Sequence, residues 1–247
     1  MVIILFPRNS YSQGKQTVVI DTPTAFTIAK GTYKVSFLEY DNGGMELKTY
    51  LGLHDILYLG VSLDVQSAIG KDDPEFNVPG VIGKIRFNDG WESFPIVFAA
   101  GYDSFYIGYD GVVDDPDNND NNNDKEDDNE DELNRVIYGP YVVLTGSIYL
   151  FDSEQFLSAG VRTPTQPHYK PDNTSYFTSL DIPLGEFFRF QLEMERVYWN
   201  FRDNNEWLYN VGLKYNYFDH IGIEIAVIFQ EDEKPNRILR IEYHGEF

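Results

Sequence analysis

Residues 207–230 read WLYNVGLKYNYFDHIGIEIAVIFQ, and this stretch decides the fold. Trp207, Tyr209, Val211, Leu213, Tyr215 and Tyr217 alternate with Asn210, Gly212, Lys214 and Asn216. After the short turn YFDH, Ile221, Ile223, Ile225, Val227 and Phe229 alternate with Gly222, Glu224 and Ala226. A period of two belongs to extended chain, whose successive side chains point to opposite faces; a helix would need a period of about 3.6. Aromatic and β-branched residues fill the apolar face, as a pleated surface favours. The stretch therefore predicts an antiparallel hairpin with one wholly apolar side and one polar, glycine-containing side.

Working outward, the alternation recurs from about Tyr33 to the C-terminus. In MELKTYLGL (45–53), Met45, Leu47, Thr49, Leu51 and Leu53 oppose Glu46, Lys48, Tyr50 and Gly52, and ILYLGVSLDV (56–65) repeats the arrangement. Twelve strands follow, at 32–41, 45–53, 56–65, 79–87, 94–102, 139–150, 155–163, 175–182, 187–200, 207–217, 221–230 and 236–247. In 187–200 the alternation changes phase near Glu195 and Arg196, as a β-bulge would require. The connections alternate between tight turns (53–55, 87–93, 150–154, 182–186, 217–220) and longer segments such as 66–78, 103–138 and 164–174. An Asp in three of the tight turns, after His or Phe, can bond its own backbone. The pattern is an antiparallel meander with short turns at one end and long loops at the other.

The 247 residues, 42% hydrophobic and 16% aromatic, suffice for one large β domain. There is no cysteine, so no disulfide framework or thiol chemistry is available. His54, His168, His220 and His244 show no metal-ligand spacing, and no nucleotide-binding loop or catalytic signature occurs, so neither a metal nor a cofactor is expected. The net charge of −21 argues against a nucleic-acid partner. Residues 114–132 hold eleven carboxylates against Lys125 alone, which reads as a solvated, disordered insert. That run offers hard oxygen ligands for calcium but lacks the glycine and spaced terminal Glu of an EF-hand loop.

No run of about 18 apolar residues exists for a transmembrane helix. The N-terminal MVIILFPRNSYSQG has an apolar patch at 2–6 with no basic residue before it, and reads either as the tail of a secretory signal or as a leader. The expected organisation is a leader and periplasmic segment at 1–31 and a barrel at 32–247, with an acidic external loop at 103–138.

A twelve-strand meander must close, and it can do so with its apolar face inward, as in soluble sandwiches, or outward, as in outer-membrane barrels. Three features favour the membrane form. Large aromatics (Phe187, Phe188, Trp207, Tyr217, Tyr243, Phe247) sit near strand ends, as interfacial girdles do. Strands of about nine to eleven residues span a bilayer at a tilt. The even strand number with asymmetric loops fits periplasmic turns and external loops. The chain ends on RILRIEYHGEF (237–247), and Leu239, Ile241, Tyr243 and Phe247 resemble the C-terminal signal read by barrel-assembly machinery, with Gly245 departing from its strongest form. The predicted fold class is all-β, a single antiparallel up-and-down transmembrane β-barrel in the outer membrane, contacting lipid and lipopolysaccharide.

The segments PTAFTIAKGTY (23–33), GLHDILYLGVSL (52–63), VPGVIGKIRFNDG (78–90) and FPIVFAAGYD (94–103) together resemble the YjbH-like outer-membrane β-barrel proteins associated with exopolysaccharide operons. The resemblance covers about the first hundred residues and is carried by turn and strand motifs; the acid run departs from it. It implies an outer-membrane barrel and an envelope or exopolysaccharide-secretion role, and it carries no catalytic residue.

The polar faces of the strands define the predicted interior: Lys34, Glu46, Lys48, Asp64, Lys84, Arg86, Arg162, Asp181, Arg189, Gln191, Glu193, Glu195, Lys214, Glu224, Arg240, Glu242 and His244. Both signs are mixed, which suits either a narrow pore for polar or saccharide solutes or cross-lumen pairs in a structural or adhesive barrel. A rim-site hydrolase built on His168, Asn173 and Ser175 is the rival class, and spacing alone does not bring those residues together.

Overall fold

The computed structural model describes residues 15–71, 73–90, 95–106, 136–150, 153–165, 174–199, 204–218, 220–230 and 235–247, with backbone alone at 106, 197–199 and 204–206. Its strands are β1 (Thr32–Glu39), β2 (Met45–His54), β3 (Leu57–Gln66), β4 (Glu75–Phe76), β5 (Gly80–Arg86), β6 (Ile96–Tyr106), β7 (Val136–Leu150), β8 (Ser153–Arg162), β9 (Ser175–Leu184), β10 (Phe188–Trp199), β11 (Asn204–Tyr217), β12 (Ile221–Gln230) and β13 (Asn236–Glu246). Except for β4, a two-residue addition to β3, each pairs antiparallel with its neighbours in the chain, and β1 pairs with β13 to close the ring. The result is a closed up-and-down barrel of twelve strands. Among the described residues no helix is long and apolar enough to cross a membrane.

The polarity of this barrel is inverted relative to a soluble one. On β12 the outward Ile221, Ile223 and Ile225 are exposed while the inward Gly222, Glu224 and Ala226 are buried, and β11 pairs with it so that Lys214 stands opposite Glu224. Ile225 is 62% exposed and Val61 56%, whereas Arg189 is 0% and Lys214 1%. Fully burying one such aliphatic side chain is worth about 1.5–3 kcal/mol, so a whole outer band of them left in water would be prohibitive. In lipid the band is satisfied, and the fold is that of a transmembrane barrel. At the short-turn end the band ends in packed aromatic rings, with Phe188 and Tyr215 centroids 5.2 Å apart and those of Tyr217 and Phe218 4.5 Å apart. Such rings suit the interface between lipid and water.

Gly245, which breaks the apolar row of the last strand, has a local explanation. Its cross-strand partner is Tyr33, whose ring lies where a side chain at 245 would stand: a Cβ there would be 2.5 Å from the ring. Tyr33 in turn packs on Tyr243 at 6.0 Å, so the outer surface is continuous across the closure.

The structure corrects several sequence-based boundaries. No bulge occurs near Glu195 and Arg196, since the β10–β11 register runs unbroken from Phe188 to Trp199. The apparent change of phase begins where β10 outlasts its pairing with β9, which ends at Arg196↔Tyr176. The register shift that does occur lies between Gly52 and His54, beside a tight turn. β6 and β7 extend through 103–106 and 136–138, positions assigned to the acidic loop, and residues 107–135 lie outside the described ones. Residues 17–28, assigned to a segment outside the barrel, are almost all buried within it.

Candidate functional site: the filled lumen

The wall presents a lattice of charges to the lumen. Arg189 pairs with Asp181 across adjacent strands (2.9 Å), Arg240 with Glu224 (2.9 Å), and Lys34 with Glu242 (3.1 Å), which also meets Lys214. Glu195 takes both the Nε and an NH group of Arg162 and the hydroxyl of Ser175 (2.6 Å). Buried ions of this kind persist only when paired and hydrogen-bonded. Glu193 differs in taking its partners from the N-terminal segment and Asn210 (2.9 Å), as Asp64 takes the Tyr40 hydroxyl (2.7 Å) and Asn77.

That segment enters at the short-turn end. The Gly31 N–H donates to the Gly52 carbonyl (2.9 Å), the Phe247 N–H to the Gly31 carbonyl (2.9 Å), and Lys30 N–H to the Asp55 carboxylate (2.9 Å). Inside, the chain makes a small hairpin, with a bridge between Val18 and Pro23 and a bond from Val19 N–H to Thr22 O (3.0 Å). The turn needs three amides satisfied, and Glu193 accepts all three: Ile20 (2.7 Å), Asp21 (2.9 Å) and Thr22 (2.8 Å), together with the Thr22 hydroxyl (2.6 Å). Lys84 serves the carbonyls, donating to Thr17 (2.8 Å), Thr24 (2.9 Å) and Phe26 (3.3 Å). Gln191 donates to Val19 O (3.1 Å), Arg240 to Ile20 O, and the Ala25 N–H to Thr145 Oγ1 (2.7 Å). Most of this recognition is of backbone. A charged wall that holds the peptide largely by its backbone N–H and C=O groups satisfies both sides, with Arg162 and Asp21 (3.7 Å) as an ion pair between them. The apolar side chains find matching pockets, with Phe26 edge-on to Phe156 (5.2 Å) and Ile20 among Leu38, Ala226, Ile228 and Ile238.

The other end is closed by the wall itself. Ser104, Val136 and Tyr138 have the parity of outward residues yet are buried, because the far ends of β6 and β7 fold into the lumen as a flap. The Tyr138 hydroxyl bonds Ser62 Oγ, Ser104 Oγ donates to Glu46, and Lys48 Nζ donates to Ser104 O (2.9 Å) beside Asp103 (3.3 Å). Arg162 lies over the Phe105 ring at 3.6 Å and faces Asp21 of the hairpin at 3.7 Å, so flap, hairpin and wall meet at one guanidinium. A cleft of about 270 Å³ remains at the short-turn end, between Lys15, Phe26, Asp89, Pro95 and Glu154.

Of the residues the sequence placed in the interior, Lys48, Asp64, Lys84, Arg162, Arg189, Glu193, Lys214, Glu224, Arg240 and Glu242 are buried inside the barrel. Arg86 is not: it sits at the short-turn rim, bonded to Asp55 O (3.0 Å) and to the exposed Asp89 (2.7 Å). His244 is likewise at that rim, 37% exposed. Leu239, Ile241 and Tyr243 face outward on β13. His168, Asn173 and the acid run at 114–132 lie outside the described residues, and Ser175 is committed to Glu195 in the lumen. Sequence reading missed the hairpin and its hydroxyl partner Thr145. The turn residues in IDTPT (20–24) were the available signal.

Apolar outside, ionic inside and stopped at both ends, the chain is an outer-membrane-type transmembrane β-barrel with a filled lumen. No protein-family model matches it, and no curated protein matches it in sequence. Among solved structures it is similar to the KdgM porin in complex with disordered oligogalacturonate, at 9% identity and a TM-score of 0.52 over 87% of this chain and 99% of that one. A second KdgM porin structure matches at 9% identity and a TM-score of 0.49 over 86% and 98% of the two chains. The translocator domain of autotransporter NalP from Neisseria meningitidis matches at 9% identity and a TM-score of 0.39, covering 87% and 86%. At such identities the likeness is one of fold.

Proposed function

We propose that the protein is a passive, non-enzymatic outer-membrane channel, closed at rest, with the N-terminal hairpin as its plug and small polar or saccharide solutes as its cargo. The observation that carries this reading is the grip of Glu193 and Lys84 on hairpin backbone. Water can replace every one of those bonds on both sides, so withdrawal leaves a hydrated, charge-lined bore rather than a collapsed core. Twelve strands make a bore between the filled barrels of about eight strands and the open porins of about sixteen. Among the described residues the wall buries seven cations (Lys34, Lys48, Lys84, Arg162, Arg189, Lys214, Arg240) against eight carboxylates (Glu46, Asp64, Asp103, Asp181, Glu193, Glu195, Glu224, Glu242). That balance favours hydroxyl-rich solutes of low charge. The oligogalacturonate named with the KdgM porin supports a saccharide cargo for this fold. The exopolysaccharide role rests on the sequence resemblance alone, and the outward row Leu239, Ile241, Tyr243 and Phe247 is the surface offered to assembly machinery.

Planar-bilayer recording tests the reading, comparing the full chain with a variant carrying Glu193→Gln and Lys84→Met. The native chain should be silent or open briefly, and the variant should conduct for longer. No current from either would leave a structural barrel, a reading favoured by the closure of both ends. Ester hydrolysis abolished by His168→Ala would move the protein to the hydrolases.

A further inference from the structure

β6 belongs to the wall for only part of its length. Its ladder with β5 runs Arg86↔Ala99, Ile85↔Ala100, Lys84↔Gly101 and Gly83↔Tyr102, and stops there. Yet β5 continues to Gly80, still paired with β3 as far as Ser62, while β6 continues to Tyr106, paired only with β7. The wall therefore parts between residues 80–82 and 103–105. The Tyr138 ring fills the breach from inside, lying so close to Gly80 that a Cβ there would be 2.0 Å from it.

We propose that the flap has a second seat in the wall, in which residues 103–105 zip onto residues 80–82 in the register β5 and β6 already share. Ile82 then faces Asp103, Val81 faces Ser104 and Gly80 faces Phe105. This wall seat is the open state of the mouth, an inference that rests on the channel reading. The parities agree with it. Asp103 joins the buried Ile82 on the lumen side, Ser104 joins the exposed Val81 outside, and Phe105 takes the space over Gly80 that Tyr138 vacates. Tyr138 and Val136 turn outward, where an aromatic and a β-branched residue suit the upper edge of the lipid band. Closing the breach gains three ladder positions and removes an unpaired strand edge. It gives up the bonds of Tyr138 to Ser62 and of Ser104 to Glu46 and Lys48, and the stacking of Phe105 under Arg162. Two seats with comparable sets of bonds make a bistable element.

The chain has no cysteine, so paired thiols can be introduced against a clean background. Val81→Cys with Ser104→Cys reports the wall seat, because directly opposed strand residues lie within disulfide range. Ile85→Cys with Ala100→Cys, already opposed in the ladder, sets the rate for permanent neighbours. On oxidation of the full-length protein in lipid vesicles, mass spectrometry should find the 81–104 disulfide forming to completion, more slowly than the control. Adding Tyr138→Phe, which frees the flap from Ser62, should speed it about fivefold. Absence of the 81–104 disulfide when the control is complete, or a rate that Tyr138→Phe leaves unchanged, would overturn the second seat. The same cross-linked protein in a planar bilayer separates the two readings: disulfide with sustained current supports both, and disulfide without current keeps the second seat and removes the channel.

Discussion

The wall and the hairpin inside it divide the chemistry of the chain in opposite ways. In the wall, backbone bonds to backbone, and side chains are free to sort by face, apolar to lipid and ionic to lumen. In the hairpin, much of the backbone bonds to side chains of the wall, through Glu193, Lys84, Gln191 and Arg240. The wall is thus specified by a side-chain pattern, and the hairpin by a shape that many sequences can adopt. Substitutions should divide along the same line.

The largest effect is expected where the two regions meet. Glu193→Leu leaves the amides of Ile20, Asp21 and Thr22 without an acceptor and should weaken hairpin docking by about 3–5 kcal/mol, given about 1–3 kcal/mol per stranded group. The barrel should remain folded. Limited proteolysis of the hairpin beside circular dichroism of the strands reads both halves, and loss of strand signal would erase the distinction. Next, Ile225→Lys places a cation on the lipid face near the middle of β12 and should cost about 2–4 kcal/mol of barrel stability in urea unfolding from vesicles, with hairpin docking unchanged. Gly245→Val should follow at about 1–3 kcal/mol, because it collides with Tyr33 at the barrel closure. Rescue by Tyr33→Ala in the same background would confirm the collision. Val18→Thr, a half-buried hairpin position, should change docking by less than about 0.5 kcal/mol; a large loss there would mean that side chains, not amides, seat the hairpin.

The same contrast explains what could be read from the sequence. Residues 207–230 announce their faces because lipid and lumen demand opposite side chains at every step, and Lys214 and Glu224 follow from Leu213 and Ile225 by parity alone. TVVIDTPTAF (17–26) has no such period, since its partners recognise mostly backbone N–H and C=O groups rather than particular side chains. The flap was hidden for a different reason. Asp103, Phe105, Val136 and Tyr138 continue the parity of β6 and β7, and sequence cannot show that a strand has left the wall with both faces buried. Arg86 was placed correctly by parity and wrongly by depth, because alternation gives the face of a residue and not its distance from the mouth. The expected bulge at Glu195 made the converse error, taking the end of a neighbouring strand for a change of register.

Hydrogen exchange of the intact protein in lipid tests the central claim most directly, since the claim concerns amides. The N–H groups of Ile20, Asp21, Thr22 and Ala25 should exchange far more slowly than those of an open loop, and Glu193→Gln should accelerate the first three while leaving the amides of β11 and β12 as slow as before. If those hairpin amides instead exchange at the rate of unstructured chain in the native protein, the hairpin is not seated in the lumen and the account of a plugged barrel is wrong.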